Sequence, residues 1–253
     1  MSVSVPQFQL FFLALTRILA ILIHVPLLGG RLVPAPVKIG LGILLAVVLI
    51  PWQAGAAANE SLPLLNFAFA ILRELIVGTL SGFAAVLTFG ALMTAGQLMS
   101  VGSGFNAGQI LNPAFDESGS SLDQVFLTTA YLLFLVINGH HEFLRSLQQT
   151  FVLLPPNSPL PELGVESLLR ITAGLILAGV QLALPVLGSL LLADLTLGLL
   201  ARVAPQVQVF FLGVPLKVGL GLLVLALSTG YLFPRIVGLF QALGPRALDL
   251  LGG

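Results

Sequence analysis

The stretch LLNFAFAILRELIVGTLSGFAAVLTFGALMTAGQLM, Leu64–Met99, is apolar over 36 residues and carries only two charges, Arg73 and Glu74. About 20 predominantly apolar residues suffice for a helix to cross a hydrocarbon core about 30 Å thick, so this run is too long for one upright span. Gly78, Gly82, Gly90 and Gly96 punctuate it, which predicts a long kinked helix or a tight hairpin. Gly78 and Gly82 stand four apart on one helical face, a small-residue spacing that lets a neighbouring backbone approach closely.

The whole chain shares this preference for a non-aqueous surrounding. Of its 253 residues 57% are hydrophobic and 8% charged, against roughly 25% charged in soluble domains, and the mean hydropathy is +1.08. Ten Lys and Arg balance ten Asp and Glu, so no basic field exists to attract nucleic acid. Cysteine is absent, which removes disulfides, thiolate metal sites and cysteine nucleophiles. The N-terminus has an apolar run with no basic residue ahead of it and no small-residue cleavage site after it, and reads as a retained first helix. The fold class is an all-α, multi-helix integral membrane protein.

Outside the central run, a first apolar segment extends from Phe8 to about Leu28, interrupted by Arg17 and His24 and closed by Pro26 and Gly29-Gly30. A second, Ile39 to Ile50, is short enough to suit a re-entrant or protein-buried helix. Residues 102–124, rich in Gly, Asn and Ser, read as the clearest loop. Then come an apolar run to Ile137, the turn-prone NGHHEFLRSL, and a joint at Pro155 to Pro161. Two further apolar segments follow, Ile171–Leu200 with Pro185 inside it and Val209–Phe233, before an amphipathic tail from Pro234. The ten basic residues are spread too evenly for the positive-inside rule to set the topology.

Few residues offer chemistry. HEFLR, His141 to Arg145, resembles the start of a zinc-protease helix but has Arg145 where a second His is needed. No phosphate loop or nucleophile elbow appears, so no catalytic, cofactor or metal residue is assigned. Glu142 and Arg145, three apart, can pair on one helical face. Arg73 and Glu74 are adjacent and point in different directions, so each needs a partner elsewhere. A charge at mid-bilayer costs about 2.5–3.5 kcal/mol on insertion scales, which marks Arg73, Glu74, Asp194, Arg202 and Lys217, with Gly78 and Gly82, as expected helix-packing or subunit contacts. A stand-alone small-solute transporter is the rival reading, but only Glu74 and Asp194 lie deep in long apolar segments, which is thin material for a relay.

Three ordered stretches resemble the FliR family of flagellar export-gate proteins, whose counterpart in virulence type III secretion is the SctT family. They are Arg17 to Ala46, Leu132 to Pro155 with its Asn-Gly-His turn, and Leu184 to Leu223 with an Arg-x-x-Pro loop at Arg202 to Pro205. The resemblance implies a subunit that joins FliP-like and FliQ-like subunits, with a FlhB-like one, in a helical export gate for unfolded flagellar proteins. That gate would stand in the bacterial cytoplasmic (inner) membrane, within the flagellar basal body. It also implies a FliP-like part over residues 1–158 and a FliQ-like helical hairpin and tail over 159–253. By position, the loop 102–124 is similar to the family's pore-closing plug, which makes Phe105, Asn106, Ala107, Gly108, Gln109, Ile110, Leu111, Asn112 and Pro113 the gate residues. The acids Asp116, Glu117 and Asp123 receive no role from the resemblance.

Overall fold

The computed structural model describes residues 4–30, 33–49, 61–105, 121–160, 165–206 and 208–252. Among them every regular element is helical: α1 (Val5–His24), α2 (Pro26–Gly29), α3 (Ala35–Leu49), α4 (Leu64–Ser103), α5 (Ser121–Val136), α6 (Gly139–Leu153), α7 (Val165–Val203), α8 (Val209–Leu227), α9 (Thr229–Gln241) and α10 (Leu243–Asp249). The all-α membrane class expected from composition is the one observed. Helices α1, α4 and α7 are each long and apolar enough to cross a membrane; counting each bent pair as one span raises the number to five.

Local sequence explains where the helices start, run and stop. Ser4 caps α1 through a reciprocal pair with Gln7, Oγ accepting from the Gln7 N–H and Gln7 Oε1 accepting from the Ser4 N–H, which satisfies two orphan donors of the first turn. The Leu64–Met99 run is one continuous helix and not a hairpin, with α4 covering 40 residues, about 60 Å at 1.5 Å per residue. No proline interrupts it, and Ser81, Thr88 and Ser103 return their hydroxyls to the carbonyls four residues back. Pro185 likewise leaves α7 unbroken over 39 residues; prolines are tolerated in membrane helices where neighbours and side chains satisfy the freed backbone groups.

The sharp bends come from turn residues. Asn138, at φ 58° and ψ 32°, takes the left-handed conformation that Asn tolerates, and it separates the end of α5 at Val136 from the start of α6 at Gly139. The apolar segment expected through Phe233 is divided at Ser228, where α8 bends into α9. The Ser228 carbonyl accepts from Tyr231 and Leu232, so a new helix starts five residues before Pro234. The expected loop 102–124 is trimmed at both ends, since α4 runs to Ser103 and α5 begins at Ser121.

The chain forms two compact units. The first takes in residues 1–88, 138–171 and 241–253. In it Gly42 of α3 brings its helix against Leu19 of α1, and Gly244 of α10 lies on Ser146 of α6. The second takes in 89–137 and 172–240. Its centre is an aromatic cluster of Phe89, Tyr131, Phe134 and Phe240, with ring centroids 5.1–5.7 Å apart.

Candidate functional site

In the first unit the strongest polar feature is a buried ion pair. Arg17 of α1 donates from Nε to Glu74 Oε2 of α4 at 2.6 Å, and their side chains are 1% and 3% exposed. Arg17 Nη1 also donates to the carbonyls of Thr150 (2.9 Å) and Leu154 (2.6 Å), at the C-terminal end of α6. The Phe151 ring lies 4.5 Å from the guanidinium carbon, and Glu74 Oε1 accepts the backbone N–H of Asn157 at 3.1 Å. Arginine suits this place because its planar fork serves several acceptors at once. The cluster fastens α1, α4 and the end of α6 to the turn at 154–157. Sequence reasoning marked Glu74 as needing a distant partner but passed over Arg17; a lone Arg in an apolar 20-residue helix was the available signal.

Next to the pair, α1 and α4 touch at backbone distance. A Cβ added to Gly78 would lie 2.6 Å from Ala20 Cβ and 2.7 Å from the Arg17 carbonyl oxygen, and one added to Gly82 would lie 2.8 Å from His24 Cβ. The face these two glycines form therefore packs within the chain. Arg73, one residue before Glu74, is exposed on the other side of α4.

In the second unit Lys217 Nζ of α8 meets both carboxylate oxygens of Asp194 of α7, at 2.9 and 3.1 Å. The Asp194 side chain is 51% exposed. Arg202 stands exposed in the last turn of α7. Glu142 and Arg145 form the exposed i,i+3 pair on α6, at 2.9 Å.

Of the expected plug, Phe105 is described, while Asn106, Ala107, Gly108, Gln109, Ile110, Leu111, Asn112 and Pro113 lie outside the described residues, as do Asp116 and Glu117. What leads into it is well defined. Gly104 has φ +80°, its N–H donates to the Val101 carbonyl, and the Phe105 N–H donates to Ser100. This is the Schellman arrangement that stops a helix at a left-handed glycine. Asp123 sits in the first turn of α5, buried, with Oδ1 lacking a hydrogen-bond partner among the described residues. Among the described residues no three His, Cys, Asp or Glu gather in a way that could hold a metal.

Long apolar helices, glycine-mediated contacts and charges paired in place define a multi-pass helical membrane protein built to pack on other helices. The model of the family described as bacterial export proteins, family 1, matches residues 8–243, and the chain belongs to that family. It is 31% identical over 247 residues to the flagellar biosynthetic protein FliR of Escherichia coli (strain K12), covering 96% of this chain and 93% of that one. To FliR of Bacillus subtilis (strain 168) it is 29% identical over 248 residues, 95% and 94% of the two chains. To the Yop proteins translocation protein T of Yersinia pestis it is 28% identical over 223 residues, 86% and 84%. The chain is thus a multi-pass membrane subunit of the flagellar type of protein export gate, a transport component by family.

Proposed function

We propose that this subunit joins FliP-like and FliQ-like subunits, with a FlhB-like neighbour, to form the channel through which unfolded flagellar proteins leave the cytoplasm. The gate stands in the inner membrane, in the flagellar basal body, and the segment Phe105 to Pro113 closes its pore. In this reading residues 1–158 form the FliP-like part and 159–253 the FliQ-like hairpin and tail. The exposed Arg73 and Arg202, and the half-exposed Asp194–Lys217 pair, face neighbouring subunits. The observation that carries the proposal is the full-length likeness to FliR proteins. The glycine-stopped end of α4, which releases the chain at Phe105, supports the plug assignment.

Apolar constrictions close pores by excluding water, so replacing Phe105, Ile110 and Leu111 together with Ser hydrates the seal. Cells carrying the assembled triple variant take up ions or small dyes while still secreting hook protein. Normal impermeability at matched membrane abundance refutes the sealing role. A second reading, the equivalent subunit of a virulence secretion system, draws on the likeness to the Yersinia protein. Restoration of swimming in a flagellated strain lacking its own FliR favours the flagellar assignment, and restored virulence-type secretion without swimming favours the other.

A further inference from the structure

Within the second unit, the bend between α8 and α9 opens a wedge against α5, and a groove of about 250 Å³ lies in it. Val125, Thr129 and Leu133 of α5, Ala226 of α8, and Thr229 and Phe233 of α9 are among its walls. The two hydroxyls present are already used: Thr129 Oγ1 donates to the Val125 carbonyl at 2.8 Å and Thr229 Oγ1 to that of Ala226 at 2.9 Å. The groove therefore asks for an occupant with no polar groups at depth. A single flexible hydrocarbon chain meets that requirement, since it carries no polar group to leave unpaired at depth.

The adjoining stripe of α9 supplies a cation. Arg235, level with Phe233 and Ile236 along the helix, stacks on Tyr231 with its guanidinium carbon 4.4 Å from the ring. Among the described residues its hydrogen bond goes to the neutral Gln181 Oε1 at 3.4 Å, and it meets no carboxylate there. An exposed Arg and Tyr one turn apart are the residues that settle at the headgroup level of a bilayer. Guanidinium matches phosphate geometry, so this charge complements an anionic headgroup beside an apolar slot.

We propose that this groove is a phospholipid site, with one acyl chain between α5 and the α8–α9 elbow and the headgroup phosphate at Arg235. It goes beyond the export reading and rests only on the chain's place in a membrane. The test uses the full-length chain in detergent, titrated with dioleoyl phosphatidylglycerol and, separately, dioleoyl phosphatidylcholine, with bound lipid counted by native mass spectrometry. Wild type retains phosphatidylglycerol in preference to phosphatidylcholine. Arg235→Gln lowers retention of the anionic lipid about fivefold, the worth of one basic residue near an anionic surface, without changing phosphatidylcholine. Ala226→Phe, which fills the groove from an exposed position, removes both. Should that variant lose its helical circular dichroism, Leu222→Phe, another exposed lining position, replaces it, and Arg235→Gln decides the headgroup part by itself. Equal retention of both lipids by wild type and Arg235→Gln overturns the proposal. So does undiminished lipid on a folded groove-filled variant, including the case where that variant instead loses a co-purifying protein.

Discussion

Replacing Arg17 with Met is expected to be the most damaging single substitution in the first unit, and its magnitude follows from what remains behind. Met keeps the apolar stem of the side chain but removes the charge that faces Glu74 at 2.6 Å. The Glu74 carboxylate, 3% exposed, then keeps, among the described residues, the Asn157 N–H alone. The Leu154 carbonyl loses its Arg17 donor, whereas that of Thr150 keeps the Leu154 N–H at 3.0 Å. Breaking a buried pair from one side costs about 3–5 kcal/mol, because an uncompensated charge stays in a dry place. That is roughly two to three and a half orders of magnitude in the folding equilibrium. Removing both members, as Arg17→Met with Glu74→Leu, takes the stranded charge away as well and is expected to lose much less than the sum of the two singles. The assay is denaturant unfolding of the purified chain in detergent, followed by circular dichroism, across the full double-mutant cycle. An Arg17→Met variant within about 1 kcal/mol of wild type, or a double variant whose loss equals the sum, refutes the argument that burial makes this pair indispensable.

Gly78→Leu and Gly82→Leu are expected to weaken the α1–α4 contact by about 1–3 kcal/mol, because the Arg17 carbonyl oxygen and Ala20 Cβ at the first, and His24 Cβ at the second, lie under 3 Å from the new Cβ and are fixed by the α1 backbone. Insertion persists, since apolarity rises; unchanged stability together with unchanged partner co-purification refutes this. Gly104→Val places a β-branched residue at φ +80°, a penalty of about 1–2 kcal/mol, and is expected to slow secretion at matched abundance without the leak of the Ser triple; equal leakage in both refutes a separate role for the turn. Asp194→Asn is expected to change the stability of the isolated chain by less than about 1 kcal/mol because the pair is half-exposed. The same substitution is expected to lower the yield of assembled complex. A normal complex yield would remove Asp194 from the subunit contacts.

The helical class and most helix positions were legible because apolar run length is a strong signal in a chain with so few charges. The Asn138 turn and the Glu142–Arg145 pair followed from local rules acting within four residues. Breaks were harder. Ser228 carries no helix-breaking residue type, and its turn is decided by backbone bonding to Tyr231 and Leu232, while the visible prolines 185 and 234 lie inside unbroken helices. The glycines of α4 supported two readings, of which the close approach at Gly78 and Gly82 holds and the hairpin does not. Arg17 was invisible as a hub because its partners lie 57, 133 and 137 residues away. Gly104 belonged to a stretch read as loop, yet it fixes a helix end, which required knowing that its φ is positive.

Helix α7, at 39 residues, is about 58 Å long, nearly twice a hydrocarbon core of about 30 Å, and lodging it wholly within that core would demand a tilt of about 60°, outside the 0–40° range of membrane helices. A large part of it must therefore stand clear of lipid tails. Exposed apolar side chains line both halves, from Leu169, Ile176 and Leu177 to Leu192, Leu195 and Leu199, so whichever part stands clear presents side chains that neither water nor headgroups solvate well. A newly made copy with no neighbour to cover them offers quality-control proteases and aggregation a ready handle. The lifetime of the chain in the cell is then expected to follow the supply of whatever covers these side chains, with synthesis in excess of it ending in degradation rather than a reserve pool.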